Sequence, residues 1–339
     1  MIYFISDLHF GHKNCISMCD RPFADVDEMD AALINAWNGR VKKDDTVYLV
    51  GDLLWEKCDI KDYIPRLNGK KILIAGNHDF KWLKRAGMAK RVDDDHVEFC
   101  DYAEYFTYIA QYAEIRLDGI PITLCHYPML EWKASRKLGS QKLGYLIHGH
   151  IHNSRDSKYS PVWLLPHALN AGADVNGFTP VTFDELIRNN EKFKLWALTD
   201  NIDKALFLAR KYHLYQTDKS GRPYIEHPLA VAKKQRGKSA KCVALLHDIL
   251  EDTDIDISVL ESNFPKNVVD AVKLLTRRAD EDYFDYINRL AVNKTARAVK
   301  LADLEHNSDL SRLKEVTERD LQRLEKYNKA KEILNSIQN

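Results

Sequence analysis

Three side chains of different chemistry follow one another at Asn77-His78-Asp79, directly after the apolar run Ile72-Leu73-Ile74-Ala75 and a glycine, Gly76. An amide oxygen can ligate a metal, an imidazole can carry a proton to a leaving group, and a carboxylate can hold that imidazole in one orientation. Polar groups close other apolar runs in the same way. Ile2–Ile5 leads to Asp7, His9 and His12, Thr46–Val50 to Asp52, Pro121–Cys125 to His126, and Tyr145–Ile147 to His148, His150 and His152. Such a mixture of oxygen and imidazole donors suits Mn²⁺, Fe, Zn²⁺ or Ni²⁺ rather than Ca²⁺ or Mg²⁺ alone. One carboxylate among several imidazoles can bridge two ions, the arrangement used to hydrolyse phosphoesters. His12 and His148 stay open between this role and an ordinary core or surface position.

A second constellation lies in the other half of the chain. His227-Pro228 precedes a helical pattern, and Leu245-Leu246-His247-Asp248-Ile249-Leu250 sets a charged pair inside an apolar stretch. On a continuous helix Glu251 falls one turn after His247 and Asp252 one turn after Asp248, so all four crowd one face. Carboxylates so placed repel one another unless a cation is present. Asp303 and Asn307 are likewise one turn apart.

The elements that must carry these groups follow from periodicity. Asp7 and His9 alternate with apolar residues, so on a continued strand they point to one side. Met29, Leu33, Ile34 and Trp37 have helix spacing within Asp25–Trp37, and Ile60–Leu67 reads as a further helix. Asp118-Gly119 marks a hairpin turn. Strand pieces are expected at Val162–Leu165, Ala168–Ala171 and Thr179–Thr182. Beyond residue 200 the period is helical throughout. The expected fold is therefore two domains, an α/β domain over residues 1–198 and an all-α domain over 199–339.

Composition narrows the partners. Lys plus Arg and Asp plus Glu both total 50, so no overall charge points to nucleic acid or a membrane surface. Residues 201–250 alone are biased, with ten basic side chains against four acidic ones, either a solvated helical face or a landing area for an anion. The six cysteines form no C-x-x-C pair and no framework spacing, and no apolar run approaches the ~20 residues that span a bilayer. The chain opens on a strand with no signal segment, and the reading is a reduced, cytoplasmic protein with a small-molecule substrate and no membrane partner.

In order, Asp-x-His, Gly-Asp, Gly-Asn-His-Asp, His and Gly-His-x-His resemble the calcineurin-like metallophosphoesterases over about residues 1–190. That resemblance implies an α/β/β/α sandwich with two divalent transition metals at the strand ends. Asp7, His9, Asp52 and His152 would hold one ion; Asp52 as bridge, with Asn77, His126 and His150, would hold the other. His78 would stabilise or protonate the leaving oxygen, oriented by Asp79 or Asp52. Asp20-Arg21-Pro22-Phe23 resembles a shorter bacterial and phage branch, in which Arg21 is either a phosphate clamp or a plain surface arginine.

The later motifs, Lys219 to Pro228, His247-Asp248-x-x-Glu251-Asp252-Thr253, Leu275-Thr276-Arg277 and Val299 to Asp303, resemble HD-domain phosphohydrolases over about 203–335. Within that class they are similar to the hydrolase domain of RelA/SpoT enzymes and to Mesh1-type small alarmone hydrolases. This implies one Mn²⁺ on His227, His247, Asp248 and Asp303, with Glu251 and Asp252 positioning or activating water. Substrate contacts fall on Lys219, Arg222, Tyr224 and Asn307. Where that group usually has Arg-Lys-Ser-Gly-Glu, this chain has Asp218-Lys219-Ser220-Gly221-Arg222, which leaves guanine against adenine open. The expected function is a bifunctional phosphohydrolase. Its HD domain would remove the 3′-pyrophosphate of (p)ppGpp or (p)ppApp, and its first domain would hydrolyse a phosphomonoester or phosphodiester. The alternatives for the HD domain are a nucleotide 2′- or 3′-phosphatase with an NADPH-like substrate, or a nucleotide sensor that regulates the phosphoesterase.

Overall fold

The computed structural model describes residues 1–92, 96–136, 142–312 and 315–337. The chain divides into two compact units, Met1–Ala197 and Leu198–Asn339.

The first unit runs β1 (Ile2–Ile5), α1 (Lys13–Met18), α2 (Val26–Arg40), β2 (Thr46–Leu49), β3 (Lys70–Ile74), α3 (Asp79–Arg85), β4 (Ala89–Arg91), β5 (Val97–Phe99) and β6 (Tyr108–Ala110). It continues with β7 (Tyr112–Leu117), β8 (Ile120–Cys125), β9 (Tyr145–His148), α4 (Ser160–Trp163), β10 (Ala168–Asn170) and α5 (Phe183–Ala197). One parallel sheet has the order β1-β2-β3-β6, and a second has β10-β9-β8-β7, parallel except for the β7–β8 hairpin about Asp118-Gly119. Strand alternation sorts the side chains. Tyr3, Ile5, Val47, Leu49 and Leu73 pack with Met29, Leu33 and Trp37 of α2 and with Trp82 and Leu83 of α3. From the opposite face Phe4, Val50 and Ile74 meet Ile122, Leu124, Ile147 and Leu169 of the second sheet. Leu146 and Ala168, on the far side of that sheet, pack with Trp132 and Val162.

Local sequence explains where these elements begin and where expectation and structure part. Asp25 caps α2 by accepting from the Glu28 N–H, with Asp27 and Glu28 in the first turn and Arg40 in the last, the polarity that suits a helix dipole. The helix expected over Ile60–Leu67 is instead two 3₁₀ turns, Ile60–Asp62 and Ile64–Arg66, because Pro65 lacks the N–H that a longer helix would use. Val162–Leu165 is not a strand. Pro161 opens the short helix α4 there. Of the strand expected at Thr179–Thr182 only a bridge between Val181 and Phe4 forms. Helix α5 was not among the expected elements, yet Leu186, Asn190, Phe193 and Ala197 bury one of its faces.

The second unit is helical: α6 (Asn201–Tyr212), α7 (Glu226–Lys233), α8 (Lys238–Leu246), α9 (Ile249–Asp252), α10 (Ile257–Asn263), α11 (Lys266–Leu275), α12 (Tyr283–Ala291), α13 (Lys294–Asn307) and α14 (Glu318–Ser336). Among the described residues it holds no strand, only a bridge between Thr217 and Pro223. No described helix is long and apolar enough to cross a membrane.

Asn190 ties α5 to β10. Its amide oxygen accepts from the Asn170 N–H at 2.6 Å, and its NH₂ donates to the Asn170 and Leu186 carbonyls. Asn190→Ala leaves the buried Asn170 N–H unpaired, while the Asn170 carbonyl keeps its bond from Asn176, and should destabilise the first unit by about 1–3 kcal/mol. All six tryptophans lie before residue 198, so denaturant unfolding followed by tryptophan fluorescence reads this unit alone.

Candidate functional site

The strands of the first unit stop short of the polar residues, and the backbone then turns through the left-handed region. Asp7 (φ 55°), His9 (φ 52°), Asp52 (φ 56°), His150 (φ 73°) and His152 (φ 49°) all lie there. The conformation costs an L-residue on the order of 1–3 kcal/mol, and its concentration on five candidate residues marks a place where the surroundings enforce it. Asp7 and His9 do reach the same cluster, though by these turns rather than by continued strand alternation. Glycines allow the approach. A Cβ on Gly149 would collide with Ser6 Oγ and Asp7 Oδ2, and one on Gly76 with Asp52 Oδ1.

Asp52 sits between two histidines. Its Oδ2 is 3.7 Å from His9 Nε2 and 3.3 Å from His126 Nε2. The His126 Nδ1–H donates to the Val50 carbonyl at 2.8 Å, so in the neutral ring the bare Nε2 faces Asp52 Oδ2 and, at 3.2 Å, Asn77 Oδ1. Asn77 Oδ1 also lies 3.0 Å from His150 Nδ1. Three lone-pair atoms facing one another call for a cation. Without one, Asp52 pulls the His126 pKa up to about 9 against the lowering effect of burial. His9 is 2% exposed and neither ring nitrogen has a partner, an unmet need that a bound ion fits. Donor atoms of Asp7, His9 and Asp52 lie within 4.8 Å of one another. His152 directs Nε2 toward Asp7 Oδ1 at 3.8 Å while its Nδ1–H donates to Asp174 at 2.8 Å. The first unit thus brings together Asp7, His9, Asp52, Asn77, His126, His150 and His152, the residues that could hold metal.

Two expectations fail on geometry. Arg21 is buried and clamps no substrate. Its guanidinium donates to both Asp174 oxygens and to the Asp7 and Leu8 carbonyls, which consumes its donors inside the fold. Asp79 does not orient His78. Its two oxygens accept from the Asp52, Leu53 and Gly76 N–H groups and from the Trp82 indole. The His78 N–H instead donates to Asp52 Oδ1 at 2.9 Å, and its half-buried ring lies 5.2 Å from that of His9. Asp174 escaped the sequence reading because nothing around it is periodic or paired; only Asn170-Ala171-Gly172 nearby hinted at a tight approach. His12 stacks on Trp55 with centroids 3.7 Å apart at the edge of the cluster. His148 stays in the core.

In the second unit the helix expected across 244–253 is broken at His247-Asp248. The break turns His247 and Asp248 toward α7 and α13. His227 Nε2 lies 3.2 Å from His247 Nε2, 3.2 Å from Asp303 Oδ1 and 3.5 Å from Asp248 Oδ2. His247 Nε2 lies 3.0 Å from Asp248 Oδ2, and its Nδ1–H donates to the Ala244 carbonyl. Burial lowers the His247 pKa, but Asp248 and Asp303 outweigh it and push the group up to about 10. This cluster demands positive charge, from protons or from an ion. Asn307 donates to Asp303 Oδ1 at 2.6 Å, and Lys300, which sequence reasoning passed over, is partly buried and pairs with Asp303 Oδ2 at 2.8 Å. Its signal was the Lys-x-x-Asp spacing on one helix.

The break gives Glu251 and Asp252 different partners. Glu251 Oε2 accepts from the Arg277 N–H, whereas Asp252 meets the Tyr224 hydroxyl, which also donates to Asp248. A cavity of about 290 Å³ is lined by Asp218, Lys219, Tyr224, Asn307, Arg323 and Tyr327, among others. Arg222 does not line it; the residue is exposed, and its N–H donates to Asp218.

Residues 1–175 match the calcineurin-like phosphoesterase superfamily domain. An uncharacterized protein of Methanocaldococcus jannaschii is 32% identical over 197 residues, covering 57% of this chain and 93% of that one. The C-terminal region is similar to (p)ppGpp hydrolases. A probable guanosine-3′,5′-bis(diphosphate) 3′-pyrophosphohydrolase of Synechocystis is 36% identical over 121 residues, 31% of this chain but 16% of that relative. A metazoan orthologue of SpoT, a solved structure, covers 41% of this chain and 88% of its own at 23% identity and a TM-score of 0.36.

His148 tests the division between core and site. Burial drives its pKa down to about 3. Below pH ~6.5 the unfolded chain takes up a proton that the folded state refuses, so folding loses stability as pH falls toward 3. Between pH 6 and pH 5 the first unit should lose about 1 kcal/mol more than a His148→Phe variant does. Equal losses in urea titrations at both pH values would show that His148 is not held neutral.

Proposed function

We propose a reaction for each unit, on the premise that this chain belongs to the calcineurin-like phosphoesterase superfamily and is a hydrolase acting on phosphoester bonds. The first unit hydrolyses a phosphomonoester or phosphodiester, and Asp7, His9, Asp52, Asn77, His126, His150 and His152 would hold the two transition-metal ions, Mn, Fe, Zn or Ni, that assist it. One observation carries this reading: the Asp52 carboxylate lies between His9 on one side and His126 on the other. Ions held there would supply Lewis acidity toward phosphoryl oxygens and a more acidic water. The chain's own residues do the rest. Val50 fixes the His126 ring, Asp174 fixes His152, and Asn77 sets His126 and His150 about one oxygen. His78, tethered by its backbone to Asp52, delivers a proton to the leaving oxygen.

The second unit removes the 3′-pyrophosphate of (p)ppGpp or (p)ppApp, with one Mn²⁺ on His227, His247, Asp248 and Asp303. The opposed imidazole nitrogens of His227 and His247 between two carboxylates support this. Burial and Asp248 raise the Asp252 pKa, which suits Asp252 to take a proton from water. The adjoining cavity has Lys219 and Arg323 for phosphate and Tyr327 for a base face, with Asp218 able to accept from an amino group on the base.

Incubation of the Mn²⁺-treated protein with ppGpp, ppApp, NADPH and 2′,3′-cyclic nucleotides, followed by chromatography, tests both reactions. Pyrophosphate should be released from ppGpp or ppApp, and Asp303→Asn should abolish that release while sparing the phosphoesterase. Asp52→Asn should do the opposite and lower bound metal. Loss of both activities from either substitution in a folded protein would overturn the two-site reading.

His78→Ala should cost on the order of 10²–10⁴ in rate with a poor leaving group. A p-nitrophenyl ester needs little protonation and should suffer less. An equal loss with both substrates would remove His78 from the proton-donor role.

A further inference from the structure

We propose that Trp55 is a specificity residue of the first unit, stacking the base of a nucleoside whose ribose oxygen is the leaving group. The substrate class is then nucleotides rather than plain alkyl phosphates. The inference rests on the phosphoesterase reading of that unit. The sequence placed no function on Trp55. It lies in the turn after β2, just beyond Asp52, and its backbone N–H donates to the Phe10 carbonyl at 2.9 Å. Its indole lies against the His12 imidazole, with 3.7 Å between centroids and 9° between planes. The indole is half-buried, whereas the imidazole behind it is only 8% exposed. A ring backed in this way on one face offers the other as a rigid platform. His12 adds an independent sign of a ligand, because its Nδ1 is buried without a partner, a cost that backing an indole does not itself require.

The position of His78 decides what the platform meets. Its ring centroid is 5.6 Å from that of Trp55 and 6.2 Å from that of His12. Together with the 3.7 Å stack, these separations set nearly a right angle at Trp55. His78 therefore lies off the edge of the indole and does not cover the face turned away from His12. Among the described residues no other ring and no cation packs on the indole. His78 also neighbours His9 of the candidate metal cluster at 5.2 Å, while Trp55 and His9 make no ring contact, so the order His9, His78, Trp55 leads outward from the cluster. The turn that carries Trp55 is tied to α3, which begins at His78. Lys81 pairs with Glu56, and Arg85 donates to the Glu56 and Cys58 carbonyls. Proton donor and platform thus keep a fixed offset. An ester oxygen that takes its proton from His78 has phosphorus on one side and its organic group on the other, and a nucleoside there brings its base to the indole. Every base has a π-face, so such a platform selects nucleosides over alkyl groups without choosing among bases.

Two measurements on the full chain carrying Asp303→Asn, which silences the second unit, test the platform. The first reads binding. All six tryptophans belong to the first unit, so their emission, excited beyond the adenine absorption, reports on it. Adenosine 3′-phosphorothioate, a slowly hydrolysed analogue, should quench part of that emission in the Mn²⁺-treated chain, and inorganic thiophosphate should not. Trp55→Phe should remove the quench, and Trp196→Phe should keep it. No quench, or one that survives Trp55→Phe, overturns the proposal. The second reads specificity. Adenosine 3′-monophosphate is compared with glycerol 2-phosphate, and adenosine 2′,3′-cyclic phosphate with glycerol 1,2-cyclic phosphate, pairs that release the same kind of alcohol oxygen with and without a base. Trp55→Ala should lower the ratio of kcat/KM for the base-bearing member over its base-free partner by about 10- to 100-fold, and Trp55→Phe should keep most of that ratio. A ratio unchanged in Trp55→Ala overturns the platform and spares the phosphoesterase reading. A chain that shows the Trp55-dependent quench but hydrolyses neither pair supports the base platform and counts against that reading instead.

Discussion

The Asp79 carboxylate is the knot on which the first unit's chemistry depends. It is fully buried and accepts four hydrogen bonds, from Asp52, Leu53, Gly76 and Trp82. Those donors belong to the turn after β2, the turn after β3 and the body of α3. One side chain therefore fixes the offset between the two turns that present Asp52 and Asn77. Hydrogen bonds to a charged acceptor are worth roughly 1.5–3 kcal/mol each, and a lost partner here would leave buried N–H groups unpaired. Such a connection can hold several residues in left-handed backbone at once.

Around this knot further groups hold the metal-competent residues in place. Arg21 reaches across to Asp174, Asp174 holds His152, and Asn190 holds Asn170, whose amide in turn donates to the His152 carbonyl. In the second unit the equivalent work falls to Lys300 on Asp303 and to the Ala244 carbonyl on His247. His126, His152 and His247 are each held by the nitrogen that does not face the cluster, which leaves the other aimed inward.

Periodicity made much of this visible before any coordinates. Most parallel strands of the first unit, helix α2 and the wholly helical second half followed from spacing alone, as did the residues that gather at the strand ends. What escaped was decided by contacts distant in sequence. A buried arginine and a surface arginine look alike in a sequence, so Arg21 stayed open between a phosphate clamp and a surface position, whereas its partner Asp174 lies 153 residues away. Asp79, next to His78 in sequence, was one of two partners offered for it, with Asp52 the other, but the turn into α3 directs Asp79 to the core. The helix break at His247-Asp248 has no glycine or proline to announce it. Helix propensity favoured continuity there, and the clustering of two histidines with Asp248 and Asp303 overrode it.

The span of these contacts also constrains the order of events during synthesis. Asp7 lies at the start of the chain, whereas the His150 N–H that it accepts comes 143 residues later, and Asp174 later still. The sheet β1-β2-β3-β6 can assemble as the nascent chain emerges, since its strands end by residue 110. The carboxylates of that early sheet have His9 beside them but remain without His126, His150 and His152 until the second sheet arrives. The complete donor set therefore exists only once ribosomes have nearly finished the first unit, and it can be complete before the helical unit is translated.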